Sequence, residues 1–212
     1  MQHELIDTFQ IPQSKIRILF NPVDEVRIRA SAEKTKRHPG VGIRYITVGR
    51  LTKQKGFDRL LSWFSQLDNK SAHLSIFGDG SLMSELKKLS ETLGISNQVT
   101  FSGFIDTPWP WIAGADAFLL PSRWEGMPNA ALEALACGTP VIATQEAGGI
   151  KEVAQQTTDG TITIAKSDNE FISAMQKVKA VPTETTRPSL LPQQYQLASV
   201  MNSMERWINE IE

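Results

Sequence analysis

Apolar residues return along this chain in two alternating rhythms. Short unbroken apolar runs give way to longer stretches in which apolar residues recur at a helical period. The short runs at 44–49, 72–77, 98–102, 117–120, 140–144 and 161–165 predict strands. Helices are predicted over 56–67, 81–93, 128–137 and 168–179, with shorter pieces at 109–113 and 150–154. Phe57, Leu60, Leu61 and Phe64 share one face of the first helix. Gly94 stops the second, and Cys137-Gly138 closes the third. Asp168 is the expected N-cap of the fourth.

Repeated strand-helix units imply an α/β fold with a parallel sheet covered by helices on both faces. Right-handed crossovers make it doubly wound and Rossmann-like. With the common strand order 3-2-1-4-5-6, assumed rather than read, the order reverses between the first and fourth strands. The loops 49–56 and 121–126 then flank one crevice. Two regions break the alternation. Residues 15–20 look like a strand closed by Asn21-Pro22, and 27–39 like a polar loop or frayed helix. Toward the end, 181–192 reads as an extended connection rich in Pro and Thr. A terminal helix follows over 194–211. Its apolar stripe (Leu197, Val200, Met201, Met204, Trp207, Ile208 and Ile211) is expected to dock on something.

Composition narrows the class. The 212 residues suffice for one large or two small domains. A net charge of -1 offers no basic field for nucleic acid. Cys137 is the only cysteine, so no internal disulfide forms. With three scattered histidines it makes no zinc-ligand spacing. No apolar stretch reaches spanning length and no signal-peptide core is present, so the expectation is a cytoplasmic protein. Peripheral attachment to a membrane surface stays open.

The chemistry concentrates after the fourth predicted strand, at Glu125-Gly126-Met127-Pro128-Asn129 and Glu133. A glycine-bearing loop leads into a helix N-terminus with Pro128 at the expected first position. Backbone N–H groups there suit an anionic or hydroxyl-rich ligand, and ionised carboxylates accept hydrogen bonds from hydroxyls. The same pair could be a loop carboxylate and an exposed helical one, or a glycosidase acid/base pair if both face one bond. Arg50 and Lys55, in the loop after the first strand, combine a planar fork with a mobile point charge and suit a diphosphate. The plainer alternative is two solvated cations. Gly78-Asp79-Gly80-Ser81 lacks the third glycine of a dinucleotide fingerprint and reads equally as a tight turn. Gly148-Gly149 permits close backbone approach to a ligand, or is a plain turn. Trp109 and Trp111 lean toward packing; Trp124 could stack on a sugar or base.

The motifs occur in a telling order: Gly49-Arg50-x4-Lys55-Gly56; Phe77-Gly78-Asp79-Gly80; Val99-Thr100-Phe101-Ser102-Gly103-Phe104; Ala115-Asp116-Ala117-Phe118-Leu119-Leu120-Pro121-Ser122. Then come Glu125-Gly126-Met127-Pro128-Asn129-Ala130-x2-Glu133-Ala134, Gly138-Thr139-Pro140-Val141-Ile142-Ala143 and Gly148-Gly149-Ile150-x-Glu152. This order, from about Pro12 to Glu152 and more loosely to the last residue, resembles the C-terminal half of glycosyltransferase family 4, the retaining enzymes of the two-domain GT-B fold. The resemblance implies that Arg50 and Lys55 hold the diphosphate of a nucleotide-sugar donor and aid its departure. Glu133 would accept from the ribose hydroxyls, and Glu125 would sit beside the donor sugar. The Gly126, Met127, Pro128 and Asn129 backbone would meet sugar hydroxyls or the distal phosphate, Gly49, Gly78 and Gly80 would line the donor site, and the backbone at Ile105 would read the base. No metal or other cofactor is implied, and UDP is the expected nucleotide. Residues 1–24 would be hinge and the end of an N-terminal domain that is otherwise missing, 25–192 the donor domain, and 193–212 the helix returning to that missing partner. The implied acceptor is a glycan or a lipid-linked molecule in envelope polysaccharide or lipopolysaccharide synthesis. Alone, such a half would bind nucleotide and turn over poorly, and its terminal stripe could drive self-association. Competing readings are a GT-B epimerase or phosphorylase, and a non-catalytic binding module that works with a separate partner.

Overall fold

The computed structural model describes residues 2–34, 36, 42–182 and 187–210, with the backbone alone at 2–4. Strands β1 (Arg44–Val48), β2 (His73–Phe77), β3 (Val99–Gly103), β4 (Ala117–Leu120), β5 (Val141–Thr144) and β6 (Ile162–Ala165) form one sheet in the order β3-β2-β1-β4-β5-β6. Every pairing is parallel. The doubly wound, Rossmann-like expectation is therefore borne out, including the reversal between β1 and β4.

Side chains alternate across the sheet and build two cores. Ile46, Phe118, Leu120, Val141 and Ala143 point into one. Helices α2 (Glu25–Ala32), α5 (Trp109–Ala113), α6 (Asn129–Ala136) and α7 (Ile150–Ala154) cover that face through Ile28, Ile112, Leu132, Leu135 and Ile150. Tyr45, Leu74, Ile76, Leu119 and Ile142 point into the other core, under α3 (Phe57–Phe64), α4 (Met83–Thr92) and α8 (Asp168–Gln176). Phe57, Leu60, Leu61 and Phe64 are all buried there, as their spacing predicts. Both faces are covered, so β4 and β5 are buried at every position, which is why they read as continuous apolar runs.

One ion pair anchors the amino end of the sheet. Asp116, with no exposed side-chain surface, accepts from the Arg44 backbone N–H (2.7 Å) and from its Nε and Nη2 (3.0 Å each). It also accepts from the Val181 N–H at 2.8 Å, which ties the extended connection to β1. That connection is further held by Arg187, whose Nη2 donates to the carbonyls of Ala113 and Ala115 and to Thr139 Oγ1. Residues 183–186 of it lie outside the described residues.

Several local expectations are corrected. Residues 15–20 form no strand: a single turn of 3-10 helix at Gln13–Lys15 runs into extended chain, with Ile18 and Leu19 about half exposed. None of its residues pairs with a strand of the sheet, so its backbone joins no ladder. The chain also begins with an unexpected helix, α1 (Gln2–Asp7). The polar stretch after Pro22 contains α2, started by Asp24, whose Oδ1 accepts from the Arg27 N–H at 3.0 Å. Only Ile28 and Ala32 of α2 are buried, too few to show a period. Of that 27–39 stretch, residues 35 and 37–39 lie outside the described residues. Ser167, not Asp168, caps α8, since its extended backbone lets Oγ accept from the Glu170 N–H. Pro128 is the N-cap of α6, one position before the first turn.

The terminal helix α9 (Leu197–Asn209) follows Tyr195, which is fully buried beside Phe20. Val23 donates to Tyr195 O and accepts from Leu197 N–H, joining the segment before α2 to the one before α9. Val200 faces inward, while Leu197, Met201, Met204 and Ile208 are exposed along one side; Ile211 lies outside the described residues. No helix among the described residues is long and apolar enough to cross a membrane.

Candidate functional site

The site forms at the carboxyl ends of β1 and β4, where the strand order reverses and two loops must meet. Residues Lys53–Lys55 make one 3-10 turn, closed by Gly56 at φ +69°. A Cβ on Gly56 would overlap the Pro121 carbonyl oxygen, so only glycine lets the loops touch here. Polar contacts then stitch them. Gln54 Nε2 donates to Trp124 O at 3.0 Å, and Arg123 N–H donates to Gln54 O at 2.8 Å. Arg123 also forks onto Asp58 at 2.8 and 2.7 Å and holds that carboxyl below its usual range. Arg59 donates to the carbonyls of Pro121 and Ser122.

The result is a direct meeting of two predicted site residues seventy positions apart. Lys55 Nζ lies 2.6 Å from Glu125 Oε1, and Ser122 Oγ donates to the same oxygen at 2.7 Å. The Glu125 side chain is 8% exposed, so its charge is screened by partners rather than by water. Gly148 and Gly149 support this loop from behind. Gly149 N–H donates to Gly126 O at 2.8 Å, and a Cβ on Gly148 (φ +60°) would overlap the Glu125 carbonyl. The close approach read from the paired glycines is thus to the Glu125-Gly126 backbone. Gly148→Ala is expected to destabilise the fold by about 1–3 kcal/mol and to displace Glu125. Urea unfolding checks the first effect and an altered Glu125 side-chain resonance the second.

Arg50, Gly49, Gly78 and Ile105 line a second feature, a cavity of about 520 Å³ with Val48, Phe77, Asp79 and Phe104. Arg50 is exposed, and its guanidinium makes no hydrogen bond or ion pair among the described residues. Gly78, at φ +136°, packs so closely on Gly49 that a Cβ would strike its carbonyl. Gly80 packs its backbone on Leu51 instead.

Glu133 faces a smaller cleft, about 200 Å³, lined also by Pro22, Asp24, Arg27, Trp109 and Asn129. Its Oε2 accepts from Trp109 Nε1 at 2.7 Å. Burial raises its carboxyl pKa, and the indole hydrogen bond opposes that rise. Asn129 Oδ1 accepts from Asn21 Nδ2 at 2.7 Å, so the chain before α2 reaches the start of α6. No side chain caps α6, so its first turn, beside Gly126, Met127 and Pro128, has no side-chain oxygen bound to its N–H groups. Glu125 and Glu133 are therefore engaged by different partners. Among the described residues, no group of three or more His, Cys, Asp or Glu side chains is placed to hold a metal ion.

Three contributors were not legible as such. Ser122 lies in the loop two residues after β4 and carries no pattern of its own. Trp109 reads as packing, because an indole donor shows only once its acceptor is placed. Arg27 belongs to α2, whose polar sequence reads as a loop or frayed helix.

A doubly wound sheet places its ligand site where the strand order reverses, and here a basic and an acidic loop meet at that point. The chain belongs to the glycosyl transferases group 1 family, whose profile matches residues 29–188. It is 30% identical over 189 residues to an uncharacterized glycosyltransferase of Methanocaldococcus jannaschii, covering 84% of this chain and 48% of that protein. It is 32% identical over 134 residues to the lipopolysaccharide core biosynthesis glycosyltransferase LpsE of Rhizobium meliloti, covering 63% of this chain and 39% of that one. Among solved structures, HepE of Anabaena in complex with UDP and glucose superposes with a TM-score of 0.75 at 18% identity, over 99% of this chain and 60% of that chain. The chain thus spans half or less of the length of these curated relatives.

Proposed function

We propose that this chain is the donor-binding half of a retaining glycosyltransferase. It would move a sugar from a UDP-sugar to a glycan or lipid-linked acceptor in envelope polysaccharide or lipopolysaccharide synthesis. The observation that carries the reading is the Lys55–Glu125 contact at the switch point, with Arg50 beside the adjoining cavity. Arg50 and Lys55 offset charge that builds on the departing diphosphate, together with the start of α6 and without a metal ion. Glu125 stands beside the donor sugar, and the Gly126–Asn129 backbone contacts its hydroxyls. Glu133 accepts from the ribose, and the cavity that includes Ile105 receives the base. An N-terminal domain would supply the acceptor site and cover the exposed side of α9. The reaction would take place on the cytoplasmic side, at the inner face of the membrane if the acceptor is lipid-linked. The lipopolysaccharide relative and the UDP-bound neighbour support this choice of substrates.

Calorimetric titration of the chain with UDP, GDP and ADP tests the reading. Preferential binding of UDP is expected. Failure of all three to bind contradicts it, and preference for GDP or ADP contradicts the choice of uridine.

A further inference from the structure

Glu133 has one side-chain partner among the described residues, the indole of Trp109. That indole is itself clamped. The Arg27 guanidinium lies 5.4 Å from its ring centroid, a cation–π distance. The Trp109 backbone is held as well, its carbonyl accepting from Cys137 Sγ at 3.7 Å, one turn along from Glu133. Arg27, Trp109, Glu133 and Asn129 line the same cleft. A glutamate side chain otherwise samples many rotamers, and fixing it costs entropy at the moment of binding. An indole N–H can only donate, so it holds a carboxylate oxygen in place without competing for the ligand's own donors.

We infer that Trp109 is a positioning residue for nucleotide recognition: its N–H fixes Glu133 Oε2 so that Oε1 is presented to the ribose hydroxyls. The inference rests on the donor-binding reading above. Oε1 accepts from no described residue, so it has capacity for a ligand donor. Asp24 and Arg27 face the same cleft from the α2 side, and Cys137 is the titratable neighbour on α6 itself. Arg29 and Arg187 act on Cys137 from the far end of α6. Burial favours the protonated form of Glu133, and the Trp109 hydrogen bond favours the ionised form. Without the indole donor, Glu133 takes up a proton at higher pH. A protonated carboxyl is a weaker acceptor for the ribose hydroxyls than a carboxylate.

The first test needs no nucleotide. The Trp109 indole N–H resonance, assigned by its loss in Trp109→Phe, is followed against pH in the whole chain. A single transition above the usual glutamate range, absent in Glu133→Gln, is expected. An indole resonance that does not titrate overturns the inference. The second test compares UDP with its 2′,3′-dideoxy analogue. Trp109→Phe is expected to weaken UDP binding roughly tenfold, more at mildly acidic than at neutral pH, and to leave the analogue nearly unaffected. Equal loss for both ligands means a merely structural role and overturns the inference. If the unaltered chain binds both ligands alike, the ribose assignment is overturned and the inference falls with it. If the chain discriminates and Trp109→Phe discriminates as well, the assignment stands and the inference alone is overturned.

Discussion

Lys55→Ala is expected to weaken UDP binding by roughly ten- to a hundredfold, the range for losing a charge-assisted hydrogen bond. Lys55 has two calls on its charge. In the chain described here it is held by Glu125 at 2.6 Å, and in the proposed complex it turns to the diphosphate. Removing it deletes the phosphate contact and leaves the Glu125 carboxylate, 8% exposed, with Ser122 alone. Lys55→Arg is not expected to restore binding, because a planar fork does not fit a site shaped around a point charge. Glu125→Gln makes the opposite case. It frees Lys55, so UDP alone is expected to bind at least as tightly as in the unaltered chain. Titration of the three variants with UDP checks the set. Equal loss in Lys55→Ala and Glu125→Gln would mean that the pair acts only by holding the loops together.

Asp116→Ala is expected to cost about 3–5 kcal/mol of folding stability, the range for breaking a buried ion pair on one side. Asp116 satisfies the Arg44 backbone N–H, two Arg44 side-chain nitrogens and the Val181 N–H. Alanine leaves all four donors without this acceptor, and leaves the Arg44 guanidinium, with a 12% exposed side chain, without a counter-charge. The melting temperature should fall by roughly 10 °C for a chain of this length. Thermal unfolding followed by circular dichroism measures it. The pair lies at the amino end of the sheet, opposite the proposed donor site, so UDP affinity measured well below the melting temperature should change little.

What could be read from the chain follows from which forces are local. Phe118, Leu119 and Leu120 are buried on both faces of the sheet and so read as a run that only a central strand explains. The period of Phe57, Leu60, Leu61 and Phe64 marks α3 because those four are buried while Asp58, Arg59 and Ser62 between them are only partly buried. Ile16, Ile18 and Leu19 have the same apolar look but pair with no strand, and sequence alone does not reveal that. Helix α2 was obscured because its burial rests on Ile28 and Ala32; Asp24 three residues before Arg27 was the cue to use. The meeting of Lys55 and Glu125 was legible only through the assumed strand order, since seventy residues separate them. The Trp109–Glu133 bond was not legible at all, because it depends on how α5 leans on α6. The paired glycines at 148 and 149 were ambiguous by nature: close approach is a property of glycine, and what approaches is decided by the fold.

The most direct test of the donor-site assignment is a crystal structure of this chain with UDP. The diphosphate is expected within hydrogen-bond distance of Arg50 and Lys55, the ribose hydroxyls on Glu133, and the uracil in the cavity that includes Ile105. A nucleotide bound elsewhere, such as the cleft at the amino ends of β4 to β6 beside Asp116 and Lys177, would contradict it.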